Sequence, residues 1–180
     1  MDVAVKPVAV VQGATDGTDI QGLFRELVAR WQPSARIAGV VAEGHGLERR
    51  ACNAGYLRSI RDGRRFSIFQ DLGAGSEACH LDASGATTAS AAVCRDIAEG
   101  CDLVVLSKFG KLEAAREGLM PDFIAAVEAG VPVLTSVSSK FRSQWHRFAD
   151  PLITYLPAEA SAVESWWQAV RAAKAGQPAA

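Results

Sequence analysis

The sequence predicts one α/β domain with three layers, a mostly parallel sheet carrying helices on both faces and an inserted β-hairpin. Three observations lead there. Val8 to Val11, Ile37 to Val41, Leu103 to Leu106 and Val131 to Val137 are short, nearly continuous apolar runs, the pattern of strands buried on both faces. Between them lie stretches with apolar residues at i, i+3, i+4 and i+7, the stripe of an amphipathic helix. The first strand, helix and second strand occupy about forty residues, the size of a right-handed βαβ crossover.

Element by element, Gly13 ends the first strand, and Ile20, Leu23, Phe24, Leu27, Val28 and Trp31 form the apolar stripe of a helix closed by Pro33. Alternating segments at Tyr56 to Ile60 and Arg65 to Phe69 flank Arg61-Asp62-Gly63-Arg64, a strong hairpin signal. A glycine-rich loop, Gln70 to Glu77, then precedes an alanine-rich helix from about Ser84 to Glu99. The next helix has Leu119, Phe123, Ile124 and Val127 as its expected apolar face. A short helix presents Phe141, Trp145 and Phe148 on one side, and a strand follows at Leu152 to Tyr155. The last helix is expected to open with the capping box Ser161-x-x-Glu164 and carries Val163, Trp166, Trp167 and Val170 at helical spacing. Residues 1–175 are thus expected to form a single domain, with 176–180 a frayed tail.

Composition sets the function classes. A chain of 180 residues, 49% hydrophobic, can bury one sizeable core. Nineteen basic and 20 acidic side chains give a net charge of −1, so no overall field recruits nucleic acid or an anionic membrane, and neither is expected as a partner. Met1 to Val11 has the pattern of neither a signal peptide nor a membrane span, and the expected location is the cytoplasm. Cys52, Cys79, Cys94 and Cys101 form no C-x-x-C pair, so reduced thiols are expected, with Cys94 and Cys101 in the core. Cys52 and Cys79 with His45 and His80 lack a standard zinc spacing, and no metal is assigned to them.

Ligands of open parallel sheets bind outside the carboxyl ends of the strands, which singles out four loops. The first is Gly13-Ala14-Thr15-Asp16-Gly17-Thr18-Asp19, whose glycines and following helix can turn backbone N–H groups toward an anion; Gly13, Thr15, Gly17 and Thr18 are the candidates. A Walker A loop has four residues between its glycines and then Lys-Ser/Thr. Here three residues intervene, Thr18-Asp19 stand in place of the Lys-Thr, and the alternative is a plain turn capped by Asp16 or Thr18. The second is Ser107-Lys108-Phe109-Gly110-Lys111, where Ser107 replaces the acid that would hold Mg²⁺ and Lys108 and Lys111 bring cations, unless these pair with Glu113 and Glu117. In the third loop Gln70, Asp71, Gly73, Gly75 and Ser76 can form an oxyanion nest or a simple turn. The fourth has Ser138 and Lys140, a helix cap or an anion cradle. The hairpin arginines Arg49, Arg50, Arg58, Arg61, Arg64 and Arg65 form a solvated face, a guard at the pocket mouth or a contact to another subunit.

The strings Phe66-Ser-Ile-Phe-Gln-Asp-Leu-Gly-Ala-Gly-Ser76 and Lys108-Phe-Gly-Lys-Leu-Glu113 resemble those of a bacterial family of uncharacterised small proteins often encoded near molybdate-transport or nitrogenase genes. In order of elements the chain also resembles the archaeal-type nucleoside-triphosphatases of the P-loop class, with Gly110-Lys111-Leu112-Glu113 matching the end of one of their motifs. The resemblance implies a P-loop-like fold and molybdate or tungstate as the oxyanion. The leading expectation is therefore a non-hydrolytic binding protein for an anion, either such an oxyanion or a nucleotide phosphate. One alternative is a nucleoside-triphosphatase with an unorthodox site, requiring Mg²⁺, in which Lys108 or Lys111 supplies phosphate charge and Glu113 orients water. The other is a ligand-free subunit-interaction protein, a homo-oligomer included, that uses the hairpin and the tryptophan-bearing last helix.

Overall fold

The computed structural model of the chain describes residues 5–15, 17–46, 54–70 and 81–176. Its strands are β1 (Val8–Gln12), β2 (Ile37–Gly44), β3 (Ala54–Ser59), β4 (Arg65–Ser67), β5 (Leu103–Phe109), β6 (Val133–Val137) and β7 (Ile153–Pro157). They form one sheet in the order β4-β3-β2-β5-β6-β1-β7. The strands from β2 to β7 in that order are mutually parallel, and the β3–β4 hairpin is added antiparallel to β2. The helices are α1 (Ile20–Trp31), α2 (Ala83–Ala98), α3 (Lys111–Ala114), α4 (Met120–Glu128), α5 (Arg142–Ala149) and α6 (Ala160–Ala175), with a 3₁₀ turn at Ser139–Phe141.

Alternation along each strand divides the core in two. Ala9, Val11, Val105 and Leu134 face α1 and α6, which contribute Phe24, Leu27, Trp31, Val163, Trp166 and Trp167. Val8, Val10, Val104 and Val133 face α2, α4 and α5, which contribute Val93, Phe123 and Trp145. Burying an apolar side chain of this size stabilises by roughly 1.5–3 kcal/mol, so both faces are needed to hold the sheet. The result is the three-layer, P-loop-like α/β fold that the sequence predicts. Gly39 is where close approach demands glycine: its φ is +123°, and a Cβ there would collide with the Val105 carbonyl oxygen of the neighbouring strand.

Four local expectations change. β5 continues to Phe109 instead of stopping at Leu106, which places Ser107 and Lys108 inside the strand. The buried side of α4 is Met120, Asp122, Phe123 and Ala126, while Ile124 and Val127 are each 40% exposed, because contact with α2, β5 and β6 turns the helix about its axis. α1 is capped by Asp19, whose carboxylate accepts from Gly22 N at 2.8 Å, in place of Asp16 or Thr18. The Ser161–Glu164 box does not form: α6 begins at Ala160, and Glu164 instead accepts from Trp31 Nε1 at 2.7 Å and from Gln168 Nε2 at 2.8 Å.

Cys94 and Cys101 are free thiols, as expected, but are partly buried and not in the core proper. Cys52, Cys79, His80 and most of the glycine-rich loop, with Asp71, Gly73, Gly75 and Ser76, lie outside the described residues, as do Arg49 and Arg50. No helix is long and apolar enough to cross a membrane among the described residues.

Candidate functional site

The parallel strands end at Gln12, Gly44, Phe109, Val137 and Pro157, so the loops after β1, β5 and β6 share one edge of the sheet. β4 runs the same way as β2, which brings Gln70 to that edge too. Gly13, Thr15, Gly17, Thr18, Gln70, Ser107, Lys108, Lys111, Ser138 and Lys140 are therefore gathered along the carboxyl side of the sheet.

The β1–α1 turn is closed on itself. Thr15 N donates to Thr18 Oγ1 at 3.4 Å, and Thr18 N returns to Thr15 O at 3.2 Å. The Asp19 carboxylate takes the Gly22 amide and has Arg25 at 3.9 Å. Two of the amides such a turn would offer an anion thus already have acceptors from the chain itself.

At the end of β5 the ladder to β6 slips. Leu106 pairs with Thr135 and Phe109 with Val137, so one residue of β5 is extra and the strand bulges. The bulge frees the carbonyl of buried Ser107, which accepts from Ser136 Oγ and from Gln21 Nε2, each at 2.8 Å. Gln21 Oε1 in turn accepts from Ala42 N at 2.9 Å, so one carboxamide ties α1 to the ends of β2 and β5. Sequence reasoning missed Gln21 and Ser136. The available signal was Thr135-Ser136, two polar residues at the carboxyl end of an otherwise apolar buried strand.

Glu113, 7% exposed, is committed to the chain turn that follows β5. Its Oε2 accepts from Gly110 N and its Oε1 from Leu119 N, both at 2.9 Å, which fixes α3 against the start of α4. Next to it, Asp122 is fully buried between α4 and α2. Its Oδ1 accepts from the Cys94 thiol at 3.1 Å, and its Oδ2 has no partner among the described residues. Burial first, with nearby Glu113 adding repulsion, raises the Asp122 carboxyl to about 7. Burial and then the Asp122 hydrogen bond push the Cys94 thiol up to about 12.

The edge lysines differ from Arg58, Arg61 and Arg65 of the hairpin. Lys108, Lys111 and Lys140 are exposed and make no ion pair or hydrogen bond among the described residues, so the expected pairing of Lys108 and Lys111 with Glu113 and Glu117 does not occur. Ser138 is held by its backbone: its N–H donates to Phe109 O at 3.0 Å, and its side chain makes no cap. The hairpin arginines are engaged: Arg58 and Arg65 pair with Glu43 at 3.2 and 3.0 Å, and Arg65 covers the Tyr56 ring at 4.0 Å. Arg61, at the hairpin tip, binds Asp96 at 2.7 Å and also Glu99. Because β3 runs opposite to β2, that tip lies at the amino edge, and Arg61 does not guard the carboxyl edge. Trp166 and Trp167 of α6 are buried in the core and are not free to meet a partner. Among the described residues no cluster of His, Cys, Asp and Glu could hold a metal ion.

Fold and edge together define an α/β protein of P-loop-like architecture. The chain belongs to the family described as Protein of unknown function (DUF2478), which it matches over residues 8–166. It is 41% identical over 138 residues, 74% of its own length, to the molybdenum import ATP-binding protein ModC 2 of Bradyrhizobium diazoefficiens. The chain spans only 15% of that relative. No solved structure matches the chain.

Proposed function

We propose that this domain binds a small oxyanion, molybdate or tungstate, at the carboxyl edge of the sheet and does not hydrolyse nucleotides. The observation that carries the reading is the set of exposed lysines without partners among the described residues, Lys108, Lys111 and Lys140, at the edge where open parallel sheets hold their ligands. By contrast, Arg58, Arg61 and Arg65 of the hairpin are paired with Glu43, Asp96 and Glu99. Ser138 and the exposed Gly17 backbone can supply hydrogen bonds, and a dianion accepts charge-assisted ones best.

The choice of oxyanion rests on kinship with part of a molybdenum import protein. The name of that relative also mentions ATP, which keeps a nucleotide phosphate as the alternative ligand. Hydrolysis is disfavoured by the residues themselves. Thr18-Asp19 replaces Lys-Ser/Thr, Ser107 replaces the acid, and both oxygens of Glu113 are taken by backbone amides. A nucleotide phosphate is the alternative anion at the same lysines, with Mg²⁺ needed only in that case. The reading places the protein in the cytoplasm, where a molybdate pool delivered by an importer would be met.

Thermal unfolding with millimolar molybdate, tungstate, sulfate, phosphate and ATP tests this, since a ligand held only by the folded state raises the midpoint by mass action. Molybdate and tungstate should raise it more than phosphate or ATP. An unchanged midpoint with every anion would remove the reading.

A further inference from the structure

Two buried carboxylates adjoin the turn that carries Lys108 and Lys111. The first, Glu113, accepts from Gly110 N and Leu119 N, and the chain closes tightly round it: a Cβ on Gly118, where φ is +60°, would fall 2.5 Å from Glu113 Oε1. A Cβ on Gly110 would lie 3.4 Å from Lys108 Cε and 3.7 Å from Glu113 Oε2, so the stem of Lys108 runs close to that carboxylate. The second is Asp122, on the first turn of α4, whose N–H donates to Leu119 O at 3.0 Å. Its side chain is 0% exposed, and Oδ2 has no partner among the described residues. The groups facing it are Ser90 and Cys94 from α2 and Glu113 from α3, none of them a cation.

We propose that Asp122 is a proton-operated control on the carboxyl edge: neutral, it leaves Glu113 to hold the turn after β5 with Lys108 and Lys111 in place, and ionised, it displaces Glu113 and loosens that turn, so the anion is held more tightly by the protonated protein. What the lysines bind rests on the anion reading above; the switch in the turn does not. A buried charge without a counter-ion is costly, so the proton stays or the site opens. Opening acts on Leu119, the residue that starts α4, and through Glu113 on Gly110. The start of α4 and the Cys94 and Ser90 donors favour the ionised form, but burial outweighs them and raises the carboxyl to about 7, within reach of neutral pH. Electrostatics acts in the same direction as the turn. An anion at Lys108 adds negative charge near both carboxylates and favours the proton on Asp122, and linkage is reciprocal, so binding draws in a proton.

The test follows the ¹⁵N amide signals of Gly110, Lys111 and Leu119 in the full chain without ligand, from about pH 5 to 9. They should move together with a midpoint at about 7 and stay flat in Asp122→Asn, which cannot ionise. Cys94→Ala removes a donor to the ionised carboxylate and should carry the midpoint to higher pH, an effect that lost packing alone would not produce. Molybdate, titrated calorimetrically, should bind wild type about fivefold more tightly at pH 6 than at pH 8, the size expected for a coupling of about one pKa unit, and should bind Asp122→Asn equally at both. Flat amide signals in wild type, a transition that survives in Asp122→Asn, or the same pH dependence of molybdate affinity in the two proteins would overturn the proposal. Titrating amides with no molybdate bound at either pH would support the switch and remove the anion reading instead.

Discussion

Gln21 Nε2 donates to the carbonyl oxygen of Ser107 across 2.8 Å, and the same side chain accepts from Ala42 N at 2.9 Å. A P-loop enzyme keeps its metal between the first helix and the end of the third parallel strand, held by a hydroxyl and an acid. Here a neutral carboxamide spans that interval and satisfies backbone groups that the β5 bulge would leave open. Gln21→Ala removes both bonds, and part-buried groups left unpaired cost about 1–3 kcal/mol. Urea unfolding should show a loss of that order, with an unchanged m-value. A variant as stable as wild type would mean that water replaces the brace at no cost.

Glu113 gives a second prediction, in which stability and activity separate. Glu113→Gln turns one acceptor into an NH₂ group facing a backbone N–H, either Gly110 or Leu119, and should cost about 1–3 kcal/mol of stability. Wild-type turnover of ATP or GTP with Mg²⁺ should not exceed a buffer blank. Steady turnover that vanishes in Glu113→Gln, with the fold intact, would reinstate this residue as the group that orients water.

The third prediction concerns pH. The Asp122 carboxyl is raised in the folded protein from 3.8 to about 7, chiefly by burial. The unfolded chain therefore releases this proton near pH 4 while the folded chain holds it, so stability from this group falls as pH rises from about 4 to 7 and levels off above. Asp122 is faced by Ser90 and Cys94 from α2 and by Glu113 from α3, none of them cationic. Asp122→Asn, which cannot ionise, should flatten the profile: its midpoint should gain on wild type at pH 8 relative to pH 5. Identical pH slopes for the two proteins would show that the carboxyl ionises freely in place.

Much of this architecture was legible in the sequence because buried strands and amphipathic helices announce themselves through local periodicity. Val8 to Val11 and the Phe24-Leu27-Val28-Trp31 stripe needed no partner to be recognised. The misses came from competition between neighbours. Ser161 and Glu164 have the spacing of a capping box, but Trp31, far off in sequence, takes the glutamate. Ile124 and Val127 fit a helical stripe, yet packing turned α4 so that buried Asp122 took an inward place. The edge that collects the candidate loops followed from the strand-loop order alone. Gln21 and Ser136 could not be found that way, because their role depends on a bulge visible only once β5 and β6 are paired. The glycine-rich loop, with Asp71, Gly73, Gly75 and Ser76, lies outside the described residues.

The central claim is an anion held by the free lysines of the carboxyl edge, and calorimetric titration of molybdate into wild type, Lys108→Ala and Lys140→Ala at one ionic strength tests it most directly. Charge-assisted hydrogen bonds contribute about 1.5–3 kcal/mol, so each variant should bind roughly tenfold to a hundredfold more weakly. Neither should lose stability, since both side chains are exposed and make no ion pair among the described residues. Arg61→Ala, at the opposite edge, should bind as wild type does. Equal heats and affinities for wild type and both lysine variants, or none for any of them, would contradict the account.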